Sequence, residues 1–458
     1  MRDKFLLFVV ITMIVGGIYL YLKGYIDFGN PKIQVLNTEL KNYSYDSKDL
    51  KVISKNYSVK FRIVDDHSGL KDIKIIISQD GEDKFVKEIS FPEKVKEKEI
   101  DVNIDADKYK LKKGEVDLIV SVTDRGLFEN KTILPFRFIL DPDPPIITKL
   151  YTQQYIMNGG SAFAFFKVSK DTEKVYIHME NLKFNCFSGL FKDKTVYACA
   201  FPYPYYWNTK KKIFVSAVDK AGNITTLPIP YRFKLKKYRR SVVNISDKFI
   251  EEKVKPLVKD KNITDPVEMF KYVNVVLRKE NEKVIHNITR TVVIKKPMFK
   301  TKLARMKRAA VLGGFADYRK YRYKGKIIEG ADAYHKGMDM ASIKNAEVPA
   351  AEDGVVVYTG NLGIYGNTII IEHGLGVFTL YSHLLDFAVK KGDIVKRGQL
   401  IAHTDTTGLA VGDHLHFGVL IQGLEVHPIE WFDKRWLKTR FFDHYEKLKK
   451  EYGENGGN

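Results

Sequence analysis

Hydrophobic and polar residues alternate through much of residues 31–235, in short runs that Gly, Asp and Asn separate. Ser58–Val64 reads SVKFRIV, and comparable runs lie at Ile73–Ile77, Ile119–Val122 and Ile213–Val218. Successive residues of a strand face opposite sides of a sheet, so a period of two indicates strands with one buried face. We therefore predict that this part of the chain is β structure.

This β region contains an internal repeat. Residues 117–140 match residues 212–235 without a gap, and the identical pairs are Val120/Val215, Ser121/Ser216, Asp124/Asp219, Pro135/Pro230, Arg137/Arg232, Phe138/Phe233 and Leu140/Leu235. A repeat of about 95 residues indicates two copies of one unit and suits a seven-stranded sandwich. We predict two tandem β-sandwich modules, at 31–141 and 143–235, joined by the stiff linker DPDPP. They resemble bacterial immunoglobulin-like modules, and a spacer role is favoured over a dedicated binding module.

The hydrophobic period changes between residues 244 and 296. Asp265 suits a helix N-cap, Pro266 the first helical position and Glu268 the third. An apolar stripe at helical spacing follows, formed by Met269, Tyr272, Val273, Val276 and Leu277. We predict a helical connector at 244–296. The next segment, Lys295–Arg308, has seven basic residues and no acidic one, which indicates either a solvated surface or an approach for an anionic polymer.

The N-terminus carries an uncharged apolar run, Phe5–Leu22, with Arg2 and Lys4 before it and Lys23 after it. Eighteen apolar residues are about the minimum that spans the hydrocarbon core of a membrane. A cleavable signal peptide has a shorter apolar region and a cleavage site of small residues, which residues 19–25 lack. We therefore expect an uncleaved single-pass anchor rather than a cleaved signal. The positive-inside preference places the bulk of the chain outside the cytoplasm.

Composition narrows the class of protein. The chain has 458 residues, of which 44% are hydrophobic and 12% aromatic, and this excludes global disorder. Lys and Arg number 76 against 56 Asp and Glu, and the net charge of +20 suits either polyanionic surroundings or a solvated surface. Cys186 and Cys199 are the two cysteines, so they form at most one disulfide or remain a free buried pair.

Candidate chemistry is concentrated late in the chain, in the motifs HKGMD, YSHL and GDHLHF. His414 and His416 lie two apart, as residues on one face of a strand do, and His335 and Asp339 lie four apart. Two imidazoles and a carboxylate, with a fourth position for water, form the open coordination of a catalytic zinc. An iron centre with two histidines and one carboxylate is the rival interpretation. The remaining histidines have no partner at a useful spacing: His67, His178, His286, His373, His403, His427 and His444.

Residues 309–436 resemble the lysostaphin-type, or LytM-like, zinc endopeptidases of bacterial cell walls. HKGMD matches that family's H-x-G-x-D, YSHL its Y-x-H-L and HLHF its H-x-H-F, and the segments between them follow the family in order and spacing. The resemblance implies a mainly β catalytic domain with a duplicated hybrid motif. One departure is Ala316, where the family usually has glycine, and it concerns the backbone of the first loop.

The same resemblance implies roles for five residues. His335, Asp339 and His416 would be ligands of Zn²⁺, and His383 and His414 would be catalytic. Zinc lowers the pKa of its bound water from 15.7 to about 7. Since the sequence has no H-E-x-x-H, the glutamate base of the common zinc proteases is missing, and the two other histidines suit its task because imidazole titrates near neutrality.

We therefore expect a membrane-anchored zinc metalloendopeptidase of the bacterial periplasm or extracytoplasmic space. Its substrate would be the peptide cross-links of peptidoglycan, with no nucleic-acid partner. The alternative is a non-catalytic cell-wall binding protein, or an activator of another wall hydrolase. A third interpretation, a biotinyl or lipoyl carrier, rests on residues 389–399 and fails because the region lacks the modified-lysine motif. Polar residues 445–458 are expected to form a disordered tail.

Overall fold

A computed structural model describes residues 2–40, 49–259 and 261–454. The fold is mainly β. The chain divides into two compact units. Met1–Pro145 and Val218–Ile224 form the N-terminal unit, and Ile146–Ala217 and Thr225–Asn458 form the C-terminal unit.

The apolar run at the N-terminus forms helix α1 (Arg2–Leu22). None of the residues Phe5–Leu22 is buried, and their mean hydropathy is 2.5. The helix is long and apolar enough to cross a membrane, and this length and composition fit either an anchor or a signal sequence.

Two sheets build the rest of the N-terminal unit. Their strands are β1 (Lys32–Val35), β2 (Lys51–Ile53), β3 (Asn56–Val64), β4 (Leu70–Gln79), β5 (Glu82–Val95), β6 (Glu97–Asp105), β7 (Gly114–Asp124) and β8 (Lys131–Leu140). The strand orders are β1-β3-β6 and β2-β8-β7-β4-β5. Val59, Phe61 and Ile63 alternate as buried residues of β3, and Phe61 contacts Phe136 of the other sheet, so the two sheets share one core.

A second group of strands follows, at β9 (Ile147–Thr152), β10 (Tyr155–Met157), β11 (Ser161–Val168), β12 (Thr172–Met179), β13 (Leu182–Asn185), β14 (Phe187–Ser188), β15 (Val196–Pro202), β16 (Phe214–Asp219), β17 (Ile224–Pro228) and β18 (Arg232–Lys234). Two four-stranded sheets have the orders β14-β15-β11-β9 and β13-β12-β16-β17, and β10 pairs with β18. Cys186 and Cys199 form a disulfide, which decides between the two alternatives that the sequence leaves open. The β structure predicted for this part of the chain is confirmed.

The predicted connector begins as a strand and continues as helices. Its elements are β19 (Arg240–Ile245), α2 (Asp247–Phe249), a π-helical segment (Ile250–Val254), a 3₁₀ turn (Lys255–Leu257), α3 (Pro266–Lys271), a second π-helical segment (Tyr272–Leu277) and α4 (Arg278–Arg290). Asp265 caps α3 by accepting hydrogen bonds from the backbone N–H groups of Val267 and Glu268. Val276, placed on the apolar stripe by the sequence, is exposed, because it lies within the second π-helical segment, where the spacing of an α-helix does not hold.

The remaining strands are β20 (Ala310–Gly313), β21 (Tyr318–Tyr323), β22 (Lys326–Ile327), β23 (Ala333–Tyr334), β24 (Met338–Ala341), β25 (Glu347–Pro349), β26 (Gly354–Asn361), β27 (Asn367–Glu372), β28 (Val377–Leu384), β29 (Ile394–Val395), β30 (Leu400–His403), β31 (Leu415–Ile421) and β32 (Leu424–Val426). The main sheet has the order β20-β24-β31-β28-β27-β26-β29, with β32 beside β31. Strand β19 pairs in parallel with β21. The connector is therefore hydrogen-bonded into the C-terminal β structure.

The basic segment Lys295–Arg308 packs along this domain. Phe299, Leu303 and Met306 are buried in its core, and Lys300 forms a 3.0 Å ion pair with Asp353. The apolar residues of the segment thus hold it in place, while most of its charges stay at the surface.

The chain ends in short helices. These are α5 (Pro428–Trp431), α6 (Lys434–Leu437), a π-helical segment (Lys438–Phe442) and α7 (Asp443–Tyr452). The disordered tail expected from residue 445 is wrong as far as Tyr452, because Tyr445 stacks on Phe441 and Leu448 is buried. The frequent lysines of α7 obscure this apolar face in the sequence. Residues 455–458 of the expected tail lie outside the described part of the chain.

Glu430 of α5 is half-buried against the second group of strands, where it accepts a 2.7 Å hydrogen bond from the backbone N–H of Ser161. Burial raises the pKa of this carboxyl to about 8, against 4.5 ordinarily. The folded chain therefore holds a proton that the unfolded chain releases above about pH 4.5. Stability is lost as pH rises from there through about 8, the pKa of the folded state.

We expect Glu430→Gln to raise the free energy of unfolding by about 3–5 kcal/mol at pH 9 and by little at pH 4. Chemical denaturation at pH 4, 7 and 9 measures this difference. Exposed Glu446→Gln on α7 is the matched control and should follow the wild type at each pH. Parallel pH profiles for Glu430→Gln and the wild type would contradict the assigned pKa.

Candidate active site

Three neighbouring strands at the centre of the main sheet carry most of the predicted site. In the pairing of β24 with β31, Asp339 lies opposite His416. Strand β28 lies on the other side of β31, with Ser382 opposite His416 and His383 as the next residue. Directly opposed residues of antiparallel strands have Cβ atoms about 4.5–5.5 Å apart. Sheet register therefore brings together motifs that are far apart in the sequence.

The three residues predicted as zinc ligands meet at one point. His335 Nε2 lies 2.9 Å from Asp339 Oδ1 and 2.9 Å from His416 Nδ1, and His416 Nδ1 lies 3.0 Å from the same carboxylate oxygen. Two imidazole lone pairs this close repel each other unless a proton or a cation lies between them. A buried group of two histidines and one carboxylate is a donor set that zinc prefers, so these residues fit the metal.

Neighbouring groups orient the donor atoms. His335 donates from Nδ1 to the Gly314 carbonyl over 2.8 Å, which leaves the Nε2 lone pair facing Asp339. Arg319 Nη2 lies 3.2 Å from Asp339 Oδ2, the oxygen that does not face the histidines. At Gly337, a Cβ would lie 2.7 Å from His416 Nε2. The glycine of HKGMD is therefore required by the close approach of this histidine.

Burial and neighbouring groups together set the charge states of two of these groups. Burial lowers the pKa of His416 to about 4, so its imidazole is neutral at pH 7, as a metal ligand must be. For Asp339, burial opposes ionisation, but the charge of His335 and hydrogen bonds from the histidines outweigh it. These hold the pKa of the Asp339 carboxyl well below its usual range.

His383 and His414 lie beside this group, with ring centroids 4.9 Å apart. His383 donates from Nδ1 to the Thr407 carbonyl over 2.8 Å, and His414 donates from Nδ1 to the Gly412 carbonyl over 2.7 Å. Each ring therefore keeps Nε2 for another partner. His383 also has a φ of +62°, a conformation that costs energy for a residue with a side chain and that recurs at functional sites.

The environments of these two histidines push their pKa values apart. Burial is the largest cause that lowers the pKa of His383, and the nearby His414 and His416 lower it further. Together they hold the pKa of this imidazole well below its ordinary value. Burial acts in the same direction on His414, but the hydrogen bond and charge of Asp339 outweigh it and raise the pKa of this imidazole.

Ala316, the departure from the family pattern, is buried and has a φ of +58°. Glycine takes this left-handed conformation at lower cost than alanine. The Ala316 N–H nevertheless donates to the His335 carbonyl over 2.7 Å. The loop thus keeps the backbone conformation for which glycine is suited, and the group around His335 is intact.

The five predicted residues line or adjoin one open cleft of about 430 Å³. Its lining residues are Arg278, Leu312, Arg319, His335, Lys336, Asp339, Ile364, Tyr365, His383, Leu409, Ala410, Val411, Gly412, Asp413, His414 and His416. The cleft therefore offers the candidate metal group and both other histidines to a single bound molecule.

A partly buried ion network that includes the lining residue Lys336 was not anticipated from the sequence. Lys336, inside the HKGMD motif, lies 2.9 Å from Glu282 and 3.5 Å from Glu425. His286 lies 2.7 Å from the same Glu425 carboxylate, although no partner for this histidine was expected from the sequence. Burial opposes the charge on Lys336, but Glu425 and Glu282 outweigh it and raise the pKa of its ammonium group. Removing one member of such a network typically costs 3–5 kcal/mol, so it fixes α4 to the β domain.

Residues 333–428 match the family model described as peptidase family M23. This range contains all five predicted site residues. It begins well after the connector and ends at the first residue of α5.

Three curated relatives are similar in sequence to part of this chain. DD-carboxypeptidase/endopeptidase Mpg of Neisseria meningitidis serogroup B is 40% identical over 95 residues, which are 21% of this chain and 22% of that protein. Peptidoglycan DD-endopeptidase ShyB of Vibrio cholerae serotype O1 is 38% identical over 120 residues, 26% of this chain and 27% of that one. Murein hydrolase activator NlpD of Escherichia coli K12 is 37% identical over 116 residues, 24% and 30% of the two chains. The chain thus spans less than a third of the length of each relative.

Proposed function

Residues 333–428 form a peptidase family M23 domain, and from this premise we propose that the chain is a zinc endopeptidase acting on the peptide cross-links of peptidoglycan. The observation that carries the proposal is the convergence of two histidines and a carboxylate beside two further histidines in one open cleft. The names of the relatives support the substrate class, since they include a peptidoglycan endopeptidase.

In this proposal His335, Asp339 and His416 hold Zn²⁺. When bound, the ion would lower the pKa of a water molecule and polarise the carbonyl group of the substrate. His383 and His414 face the same cleft and each donates from Nδ1 to a backbone carbonyl, while His414 Nε2 lies 3.5 Å from Asp339 Oδ1. They can accept the proton of the attacking water and donate a hydrogen bond to the oxygen of the tetrahedral intermediate. Iron in the same site is the rival, and elemental analysis of the purified chain distinguishes the two.

A second candidate is a non-catalytic activator of another wall hydrolase, favoured by the similarity to a murein hydrolase activator. A chain that has abandoned catalysis has no physical need to keep a ligand group and two adjoining histidines with oriented rings. All five residues are present here and their side chains converge. Catalysis is therefore the function that this geometry supports best.

Incubation of purified sacculi with the zinc-loaded full chain tests this proposal. Cleavage within cross-links should convert dimeric muropeptides to monomers without producing new reducing sugar ends. Of the two lining aspartates of the described cleft, Asp339 belongs to the candidate metal group and Asp413 accepts hydrogen bonds from Asn345 and Thr404, so they do not form the acid–base pair of a glycosidase. New sugar ends, or whole stem peptides released from muramic acid, would instead identify a glycosidase or an amidase.

We further propose that α1 is an uncleaved single-pass anchor and that the domains lie outside the cytoplasm. The disulfide between Cys186 and Cys199 supports this, because disulfides persist in oxidising compartments. Protease added to spheroplasts should degrade the chain, while N-terminal sequencing should still find Phe5–Leu22 attached. A mature protein that begins near residue 25 would contradict the anchor.

We propose that the two groups of strands form modules at 31–141 and 143–235. These modules would be copies of an immunoglobulin-like unit and would act as spacers. The identical residues of the first copy lie on β7 and β8. In the second copy Val215, Ser216 and Asp219 lie on β16 and Arg232 and Phe233 on β18, while Pro230 and Leu235 lie beside β18. The other proposed domains are the connector at 244–296 and the catalytic domain at 309–436. Replacing 31–141 with an unrelated sandwich should leave sacculus binding unchanged, whereas lost binding would identify a binding module.

A further inference from the structure

Three lining residues of the cleft lie outside the matched M23 domain, namely Arg278, Leu312 and Arg319, and of these Arg278 belongs to the predicted connector. Arg278, the first residue of α4, lines the cleft together with His335, His416 and Tyr365. Its side chain is half-buried. A positive charge of the connector helix therefore faces the space in which a substrate would lie.

The helix that carries Arg278 is held firmly against the β domain. One turn before it, Asn274 donates from Nδ2 to the Ala331 carbonyl over 2.5 Å. One turn after it, the Asn281 side chain accepts a 3.0 Å hydrogen bond from the backbone N–H of Ile364. The partly buried network of Lys336 fixes the next turn. The base of the Arg278 side chain is thus held at a fixed position beside the candidate metal group.

The guanidinium group itself is oriented by neutral acceptors. Arg278 donates from Nε to the Asn274 carbonyl over 3.1 Å and from Nη2 to Asn274 Oδ1 over 2.6 Å. Throughout residues 2–40, 49–259 and 261–454, no carboxylate forms an ion pair with Arg278. By contrast Arg319, the cleft's other arginine, pairs with Asp317 and Asp339. Arg278 therefore keeps both a full charge and N–H groups for a ligand.

A half-buried cation without a counter-ion favours an anionic partner, because the cleft screens the charge less than bulk water does. The planar fork of N–H groups on arginine matches a carboxylate in particular. We infer that Arg278 binds a free carboxylate of the substrate peptide and so positions the scissile amide at the candidate metal group. This inference rests on the proposed function and deepens it. The carboxylate can come from the C-terminus of the peptide or from a side chain beside the scissile amide.

The test compares matched cross-linked peptides that carry either a free carboxylate or a carboxamide at each of these two positions. For the wild-type full chain loaded with zinc, amidation at the position that Arg278 binds should lower kcat/KM by about 10–100-fold, the usual worth of a charged hydrogen bond. Most of this change should lie in KM, because the contact is remote from the reacting atoms. Amidation at the other position should have little effect, which identifies the source of the carboxylate.

Arg278→Gln should lose about the same factor on the free acid and should no longer distinguish acid from amide. Arg278→Lys should recover part of the preference, since it restores the charge without the planar fork. Lys279→Gln, an exposed neighbour outside the cleft, is the control and should retain the wild-type preference.

Calorimetric binding of the same peptides to His383→Asn separates this inference from the proposed function. Tighter binding of the free acid, lost on adding Arg278→Gln, supports the role of Arg278 even if the chain cleaves nothing. If the wild type cleaves acid and amide equally well at both positions, the inference is overturned while the proposed function stands. If His383→Asn binds the acid and the amide equally well, the inference is overturned even for a chain that cleaves nothing. This comparison does not require that an arginine variant folds.

Discussion

Replacing His416 with alanine is expected to remove zinc from the purified chain and to abolish cleavage of cross-links. The His416 imidazole contributes one of three donor atoms that lie 2.9–3.0 Å apart. Loss of a partner that merely orients a ligand usually costs 10–100-fold in metal affinity. Loss of the ligand itself should therefore lower zinc affinity by more than about 100-fold.

Elemental analysis before and after dialysis against a weak chelator measures this change. His403→Ala is the matched control, because His403 belongs to the same domain, pairs with Asp386 and does not line the cleft. It should keep one zinc per chain and full activity. Full zinc occupancy in His416→Ala would contradict the ligand assignment, and stoichiometric iron in the wild type would favour the rival metal.

The opposite pattern is expected for the two histidines beside the metal group. His383→Asn and His414→Ala should keep zinc while turnover falls by about 10²–10⁴-fold, the usual worth of general acid–base catalysis. Asparagine is chosen at 383 because it tolerates the φ of +62° better than alanine does. Neither ring lies in the group of three donor atoms.

Zinc content, thermal unfolding and kcat measured on one preparation separate catalysis from folding. A variant that unfolds at the wild-type temperature, carries one zinc and has lost turnover has lost a catalytic group. If either substitution releases zinc, that histidine is a ligand and the assignment of roles must be changed.

The parts of this site that the sequence predicts are those encoded by local spacing. His414 and His416 lie two apart on a strand, and His335 and Asp339 lie four apart, so each pair is visible without a structure. That all of them meet depends on the order and register of β24, β31 and β28, which spacing alone does not determine. The family resemblance supplied this information.

Other parts could not be predicted because their partners are distant in the chain. Lys336 meets Glu282 across more than fifty residues, and the register of a helix against a sheet has no signature in local sequence. For the same reason the sequence does not distinguish Arg278 from the many other charged residues of the surface. The π-helical turn before it and the helix at Asp443–Tyr452 were missed because periodicity reports an average turn and composition does not report packing.

Hydrolysis of one defined cross-linked muropeptide dimer in ¹⁸O-labelled water tests the central claim most directly. The zinc-loaded full chain, with no other hydrolase present, should split the dimer into two monomers and place one ¹⁸O atom in the new carboxyl group of the acyl donor. His414→Ala carrying the same amount of zinc should do so at least about 100-fold more slowly. An intact dimer after prolonged incubation with the zinc-loaded wild type, alongside stimulation of a separate wall hydrolase, would contradict the enzyme and identify an activator.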